Sequence, residues 1–314
     1  MQKLSAILIM LFIVVGCAHK PENMYADVKD GVVLIQSTQN EQNGELGAGF
    51  FIEENLIITN YHVVIGNKII NISIQDSNYV WKTTVLSYSE EHDIALLSID
   101  DWDNFSSKEK WKVLEFVSSK TAKVGEEVYA FGHPWGLSWT FSSGILSKKD
   151  RLLPSSTSVL FLQTDSKVYQ GNSGGPLFDK YGKVLGINSL MRSGNGGSYG
   201  FVIPSDYVKK VVYGLKKYDN SMIMRLGVSL GLTENREYVT IKDILYNSAA
   251  YECKLQKGDI ILEVKTAVSV VYQKVKNTLD MVKELLVLNM DQNIINIMIK
   301  RNNVVDEFIC EIKI

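Results

Sequence analysis

The chain has 314 residues, of which 46% are hydrophobic, and its formal net charge is −2. A chain of this length can bury two cores, and its nearly balanced charge gives no electrostatic reason to expect nucleic-acid binding. The sequence contains neither a C-x-x-C pair nor an H-E-x-x-H pattern. We therefore predict two domains, no metal site and no cofactor.

The N-terminus has the pattern of a targeting segment. A lysine precedes an apolar stretch from Leu4 to Val15, which is shorter than the roughly 20 residues of a membrane span and fits a secretory signal. The stretch ends in VVGC, which resembles a bacterial lipobox, so we predict a signal peptide at 1–16 and a lipidated Cys17. A simple signal peptide or an uncleaved anchor is the alternative. Residues 17–29 are expected to form a polar tether.

Short β-rich runs follow from about Asp30 to Pro204, separated by Gly, Asn, Ser and Asp turns. Many short strands at this spacing predict a mainly β fold, either a sandwich or a barrel. Residues 101–116 are predicted to be a polar connection. Residues 205–218 are predicted to be a helix, since Ser205 suits an N-cap and apolar residues then repeat at helical spacing. The runs are GVVLIQS, GAGFFIE, LIITNYHVV, KIINISIQ, KTTVLSYS, IALLSI, EVYAFG, SGILSK, VLFLQT, KVLGIN and YGFVIP.

The motif GNSGG places Ser173 among glycines. Glycine tolerates positive φ and close backbone approach, so the amides of this turn can form an oxyanion hole. An ordinary glycine-rich loop between strands is the alternative. The motif also satisfies G-x-S-x-G, but the α/β-hydrolase elbow needs its histidine after the serine. That order is excluded because all four histidines precede Ser173: His19, His62, His92 and His133.

The best candidate for a base is His62, which ends an apolar β-rich run. A histidine there is either a satisfied core residue or a site residue. Asp93 directly precedes the apolar stretch 94–99, and a carboxylate entering a buried strand needs a polar partner. An imidazole N–H would supply one. We therefore predict that His62 takes the proton of Ser173 while Asp93 orients the ring.

The segments around these residues resemble a known family. TNYHVV, HDIALLSI and GNSGGPLF are similar to the three catalytic blocks of trypsin-like serine proteases, in particular of the bacterial HtrA/Deg branch. The resemblance extends from about Val33 to Ile203. It implies two packed six-stranded β-barrels in a protease domain at 30–218. It also implies a His–Asp–Ser triad and an oxyanion hole formed by the amides of Gly171 and Ser173, with Asn172 on the same turn.

The resemblance also suggests where the substrate side chain binds. Lys167 occupies a position near the floor of the S1 pocket in trypsin-like folds, and we place Asn188 and Phe201 in the same pocket. The HtrA branch usually has a small apolar residue at this position, whereas a buried lysine would favour an acidic P1 residue. The alternative is that Lys167 points to solvent. We predict a small aliphatic P1 residue.

A second unit is predicted at 222–314. Its segment NSAAYECKLQKGDIILEV resembles part of the small α+β PDZ domains appended to HtrA proteases. The resemblance implies a groove helix at 275–288. It also implies a turn for the peptide carboxylate, formed by Leu226, Gly227 and Val228. The Asn-Gly or Asp-Gly turn usual after the GD strand is missing, so a packing domain without a ligand is the alternative.

Two cysteines, Cys253 and Cys310, remain if Cys17 is lipidated. An oxidising compartment would permit a disulfide between them, but nothing in the sequence places the two residues close together. The sequence leaves the pairing open, and we favour two unpaired cysteines.

These features predict a serine endopeptidase that cleaves misfolded or exported polypeptides through an acyl-enzyme, with PDZ control by C-terminal peptides. A non-cleaving chaperone-like or peptide-sensing protein is the alternative, and a complete triad favours the protease. The lipobox places the protein in the bacterial cell envelope, lipid-anchored and facing the periplasm, at the outer membrane if the cell is Gram-negative. The family resemblance implies a homotrimer, to which Tyr25 could add aromatic packing.

Overall fold

The computed structural model describes residues 21–40, 43–153, 156–194, 197–218, 226–235, 237–266, 272–275 and 294–311. The predicted signal peptide, Cys17 and most of the predicted groove helix lie outside the described residues. Within those ranges, no helix combines the length and the apolar character needed to cross a membrane.

Two closed six-stranded β-barrels form the first part of the structure, as the family resemblance implies. The first barrel contains β1 (Val32–Asn40), β2 (Asn43–Glu53), β3 (Leu56–Thr59), β4 (Ile69–Ile74), β5 (Trp81–Ser89) and β6 (Ile94–Ile99), in the order β1-β2-β3-β6-β5-β4. The second contains β7 (Glu127–Gly132), β8 (Thr140–Leu153), β9 (Ser156–Thr164), β10 (Pro176–Asp179), β11 (Val184–Gly194) and β12 (Gly197–Pro204), in the order β10-β11-β12-β9-β8-β7.

In the described part of the chain, five helices accompany the strands: α1 (Pro21–Val28), α2 (Tyr61–Val64), α3 (Trp102–Lys108), α4 (Ser205–Tyr218) and α5 (Ala249–Glu252). Short 3₁₀ turns lie at Lys29–Gly31 and Pro134–Gly136. The helix predicted at 205–218 is confirmed. Ser205 is its first residue. The Ser205 Oγ donates to the Val117 carbonyl and accepts the Ser119 N–H, so the residue ties the helix to the connection between the barrels.

The core is divided between the barrels by the alternation of side chains along the strands. Phe50 and Phe51 are neighbours on β2, and both are fully buried. Phe51 packs inside the first barrel with Ile57. Phe50 belongs to the cluster between the barrels, together with Phe131 and Phe178 of the second barrel. This shared cluster holds together the two barrels that carry the candidate catalytic residues.

The predicted tether is wrong for its second half, because residues 21–28 form α1. Met24 and Val28 lie one helical turn apart and are buried in the cluster between the barrels. The ring of Tyr25 lies 5.4 Å from that of Phe131, and its hydroxyl donates to Gln75 at 2.6 Å. Tyr25 therefore packs within its own chain, and the first unit begins before residue 30.

The predicted polar connection at 101–116 contains a packed helix, α3. Phe105 is fully buried and its ring lies 5.8 Å from that of Phe51, while Trp102 contacts Trp111 at 4.8 Å. The prediction fails here because three aromatic side chains, although widely spaced among polar residues, meet on one side of the first barrel.

A separate mainly β unit with a PDZ-like sheet follows. Its strands are β13 (Val228–Leu232), β14 (Val239–Ile244), β15 (Ile260–Thr266), β16 (Gln273–Lys274), β17 (Ile294–Arg301) and β18 (Val304–Glu311). The order is β13-β14-β15-β17-β18, with β16 paired to β15. The almost fully buried carboxylate of Asp259 accepts two hydrogen bonds of 2.6 Å from the Arg301 guanidinium, so the buried charge is paired.

The expectation for the two cysteines is wrong, because Cys253 and Cys310 form a disulfide with a Cα–Cα distance of 5.2 Å. Cys253 directly follows α5 and Cys310 lies near the end of β18. Residues so distant in sequence meet only because the fold brings the end of the sheet against this short helix.

Replacing both cysteines by alanine is expected to lower the free energy of unfolding of this unit by about 4 kcal/mol, because the bond constrains a loop of 57 residues in the unfolded chain. Urea unfolding, with and without a reductant, measures the effect. The reductant should destabilise the wild-type chain and leave the double variant unchanged. A wild-type unit that is equally stable under both conditions would contradict the prediction.

Candidate active site

His62 and Asp93 meet because their supporting strands are neighbours. His62 lies in α2, directly after β3, and Asp93 directly precedes β6, which pairs with β3. The Asp93 oxygens lie 2.8 and 2.9 Å from His62 Nδ1, and Oδ1 also accepts the His62 backbone N–H at 3.0 Å. A carboxylate at Nδ1 holds the proton there and leaves Nε2 free to accept another.

Asp93 is held in an unusual backbone conformation. Its φ is +53°, a region that aspartate tolerates better than most residues. Its N–H donates to the Glu90 carbonyl, and its carbonyl accepts a hydrogen bond from the Asn60 side chain at 2.7 Å. These contacts aim the carboxylate at His62.

Ser189 is a site residue that the sequence analysis missed. Its hydroxyl donates to Asp93 Oδ2 at 2.7 Å, so a residue of β11 in the second barrel binds the carboxylate of the first. The pairing of β11 with β12 shifts register between Asn188 and Leu190, and such a bulge re-aims a side chain. No local pattern in the sequence marks this position.

The imidazole of His62 keeps 45% of its side-chain surface exposed. Burial alone would lower its pKa, but the hydrogen bond and the negative charge of Asp93, together with the charge of Glu45, outweigh that effect and raise the pKa above 6.5. The site therefore favours the protonated ring and still leaves it accessible to a substrate.

Ser173 lies on the turn between β9 and β10, and this turn is bound to the first barrel. The Ser173 carbonyl accepts the N–H of Ala48 on β2 at 2.8 Å. The Ser173 hydroxyl donates to the Ser189 carbonyl at 3.2 Å. Ser189 thus contacts two residues of the predicted triad. Its hydroxyl binds Asp93 and its carbonyl binds Ser173.

The turn around Ser173 requires glycine. Gly171 has a φ of +99° and Gly174 one of +86°, and a Cβ on Gly171 would lie 2.1 Å from the His133 carbonyl oxygen. The N–H of Asn172 donates to Tyr169. Among the described residues, the N–H groups of Gly171 and Ser173 donate to no acceptor, so these two amides remain available to an oxyanion.

Asn172 stabilises the turn, and its backbone N–H is bonded to the Tyr169 carbonyl and so does not contribute to the oxyanion hole. Its side chain is buried and donates from Nδ2 to the Lys167 carbonyl at 2.7 Å. The side chain of Lys167 itself is exposed. Asn188 is fully buried and donates to the Pro176 carbonyl, and Phe201 packs edge-on against another aromatic ring. The structure therefore keeps Lys167 at the surface and uses Asn188 to hold β10.

The predicted carboxylate turn of the second unit is described in part. Gly227 has a φ of +75°, and its carbonyl accepts the Leu245 N–H at 2.9 Å. The Leu226 carbonyl accepts the N–H of Ala250, and Val228 opens β13. The helix predicted to face this turn lies mostly outside the described residues.

Comparisons with known proteins place the candidate catalytic residues in a known family. Residues 47–187 match the trypsin-like peptidase domain family. A probable periplasmic serine endoprotease, DegP-like, of Rickettsia prowazekii (strain Madrid E) is 37% identical over 235 residues, which are 69% of this chain and 44% of that protein. This chain contains a trypsin-like serine protease domain of the HtrA type. The DegP-like protein of Marinomonas sp. (strain MWYL1) is 36% identical over 72% of this chain and 49% of its own length.

The HtrA-type fold also appears in solved structures. The HtrA-type protease AlgW with a tripeptide superposes with a TM-score of 0.76 at 23% identity, over 93% of this chain and 96% of that chain. The serine endoprotease from Yersinia pestis gives 0.69 at 24% identity, over 93% and 97%. The chain spans less than half the length of the curated relatives it matches.

Proposed function

We propose that this protein is a serine endopeptidase that hydrolyses unfolded or exported polypeptides for protein quality control. The observation that carries the proposal is the contact between His62 Nδ1 and the Asp93 carboxylate at 2.8 Å, beside a glycine turn that presents Ser173. A pure binding protein has no use for a tautomer held in this way.

In the proposed reaction the Ser173 hydroxyl rotates from the Ser189 carbonyl toward His62 Nε2 and transfers its proton there as Oγ attacks the substrate carbonyl carbon. Asp93 stabilises the resulting imidazolium. The N–H groups of Gly171 and Ser173 bind the oxyanion. His62 then protonates the leaving amine, and water, deprotonated by His62, hydrolyses the acyl-enzyme.

We also propose that the protein acts in the periplasm. Relatives named as periplasmic proteases and the signal-like N-terminus support this location, and an oxidising compartment suits the Cys253–Cys310 bond. Lipid attachment at Cys17, a homotrimer, and peptide binding at Leu226, Gly227 and Val228 stay predictions. The domain boundaries, the S1 residues and the absence of a cofactor also stay predictions. The one change is that α1 moves the start of the first unit to before residue 30.

Labelling of the full-length chain with a fluorophosphonate tests the proposal. We expect one covalent adduct, on the peptide that contains Ser173, because only a serine activated by a base reacts readily with such a phosphorus centre. The heat-unfolded chain is the control and should stay unlabelled. A folded chain that takes up no label and cleaves no casein would be a peptide-binding protein instead.

The pH dependence of labelling checks the role of His62. The imidazole must be neutral to accept the proton, and its pKa is raised above 6.5. The rate should therefore be low at acidic pH and rise to a half-maximum above pH 6.5. Circular dichroism at each pH should show an unchanged fold. A rate that is already maximal at pH 6 would exclude this base.

A further inference from the structure

Residues 133–139 connect β7 to β8, and two of them donate backbone hydrogen bonds to His133. The imidazole of His133 is completely buried, and its Nδ1 accepts the backbone N–H of Trp139 at 3.1 Å. The two rings meet edge to face at 4.6 Å. The His133 carbonyl accepts the N–H of Gly136. One residue thus binds both the middle and the far end of the connection.

The far end needs this support. Trp139 has a φ of +64°, a conformation that large side chains rarely adopt. Such a conformation persists only where the surroundings enforce it. The hydrogen bond from the Trp139 N–H to His133 Nδ1 is one contact that does so, and it lies just before β8 begins at Thr140.

The same residue contacts the turn that presents Ser173. The backbone N–H of His133 donates to the Gly171 carbonyl at 3.1 Å. A Cβ on Gly171 would lie 2.1 Å from the His133 oxygen, and a Cβ on Gly132 would lie 2.4 Å from Asn172 Oδ1. The connection and the turn therefore pack without space between them, so a displacement of one must displace the other.

The hydrogen bond specifies the form of the ring. Because Nδ1 accepts a hydrogen bond from a backbone N–H, it carries no proton, so the imidazole is neutral and its own proton lies on Nε2. Burial lowers the pKa of His133 to about 4, although the backbone of Val33 acts in the opposite direction. Burial and the hydrogen bond from Trp139 therefore both favour the neutral ring.

We propose that His133 is a positioning residue for the oxyanion hole: its Nδ1 fixes residues 133–139, and its backbone N–H thereby keeps Gly171 oriented with the amides of Gly171 and Ser173 open to the substrate. The inference rests on the proposed function. Because His133 is completely buried, it acts on the substrate only through the turn that its N–H binds.

Two substitutions test the proposal in the full-length chain. His133→Leu fills the space but offers no acceptor to Trp139, whereas His133→Asn offers Oδ1 where Nδ1 lies. We expect the leucine variant to lose about 10- to 100-fold in kcat with little change in KM, since a misplaced oxyanion donor weakens the transition state only. The asparagine variant should recover most of the loss. The affinity for a peptide boronate, which forms a tetrahedral adduct, should fall in parallel with kcat.

A folded His133→Leu variant with wild-type kcat would overturn the inference, and so would an asparagine variant as impaired as the leucine variant. If neither variant folds, nitrogen NMR of the wild-type chain with labelled histidine decides the question. Nδ1 must be unprotonated and Nε2 protonated, and a proton on Nδ1 refutes the role. Failure of the proposed function is a different result, namely wild-type turnover no higher than that of Ser173→Ala.

Discussion

Replacing Ser173 by alanine is expected to reduce kcat on an unfolded substrate such as casein by about a millionfold. The substitution removes the attacking oxygen and leaves the amides of Gly171 and Ser173 in place. Residual hydrolysis by water can still be assisted by these donors, so the rate should stay above that of the uncatalysed reaction. KM should change little because the hydroxyl is small. Steady-state turnover of purified full-length variants measures the loss.

The matched control is Ser107→Ala. Ser107 is exposed near the end of α3 and donates its hydroxyl to a carbonyl of the same helix. The same atom is therefore deleted on a helix outside the glycine turn, and turnover should be unchanged. Equal turnover by the wild-type chain and the Ser173→Ala variant would end the protease assignment and leave a peptide-binding protein.

Replacing Asp93 by asparagine is expected to lower kcat about ten-thousandfold, with the fold intact. Asp93 accepts both the ring N–H and the backbone N–H of His62. An asparagine amide would instead donate to Nδ1 and move the ring proton to Nε2. His62 could then no longer accept the proton of Ser173, and the imidazolium would lose its counter-charge.

Asp76→Asn is the matched control for this change. Asp76 also has positive φ, +65° against +53° for Asp93, but its side chain is 72% exposed and binds Lys29. The same substitution, at a position with the same backbone conformation, should therefore leave kcat unaffected. Thermal unfolding should show that both variants fold. A folded Asp93→Asn variant with less than a tenfold loss would show that His62 does not depend on this carboxylate.

Most of the barrel strands follow from local pattern. Eleven β-rich runs correspond to strands, because short runs rich in β-branched and aromatic residues, bounded by turn residues, favour the extended conformation. The missed strand, β10, has four residues and directly follows the glycine turn, so it is too short to show an alternation. The helix α1 was missed for a related reason, since only Met24, Tyr25 and Val28 mark its buried side.

The sequence by itself determined most of the barrel strands and the choice of His62, Asp93 and Ser173 as candidate catalytic residues, because apolar periodicity and motif order are properties of local sequence. The strand pattern alone was compatible with a sandwich or a barrel, and the expectation of two barrels came from the family resemblance. Only the tertiary structure decided that Ser189 binds Asp93, that His133 supports Gly171, and that Cys253 pairs with Cys310. These contacts join residues far apart in the chain. Their distances depend on how strands close into barrels and sheets, and no local pattern records that closure.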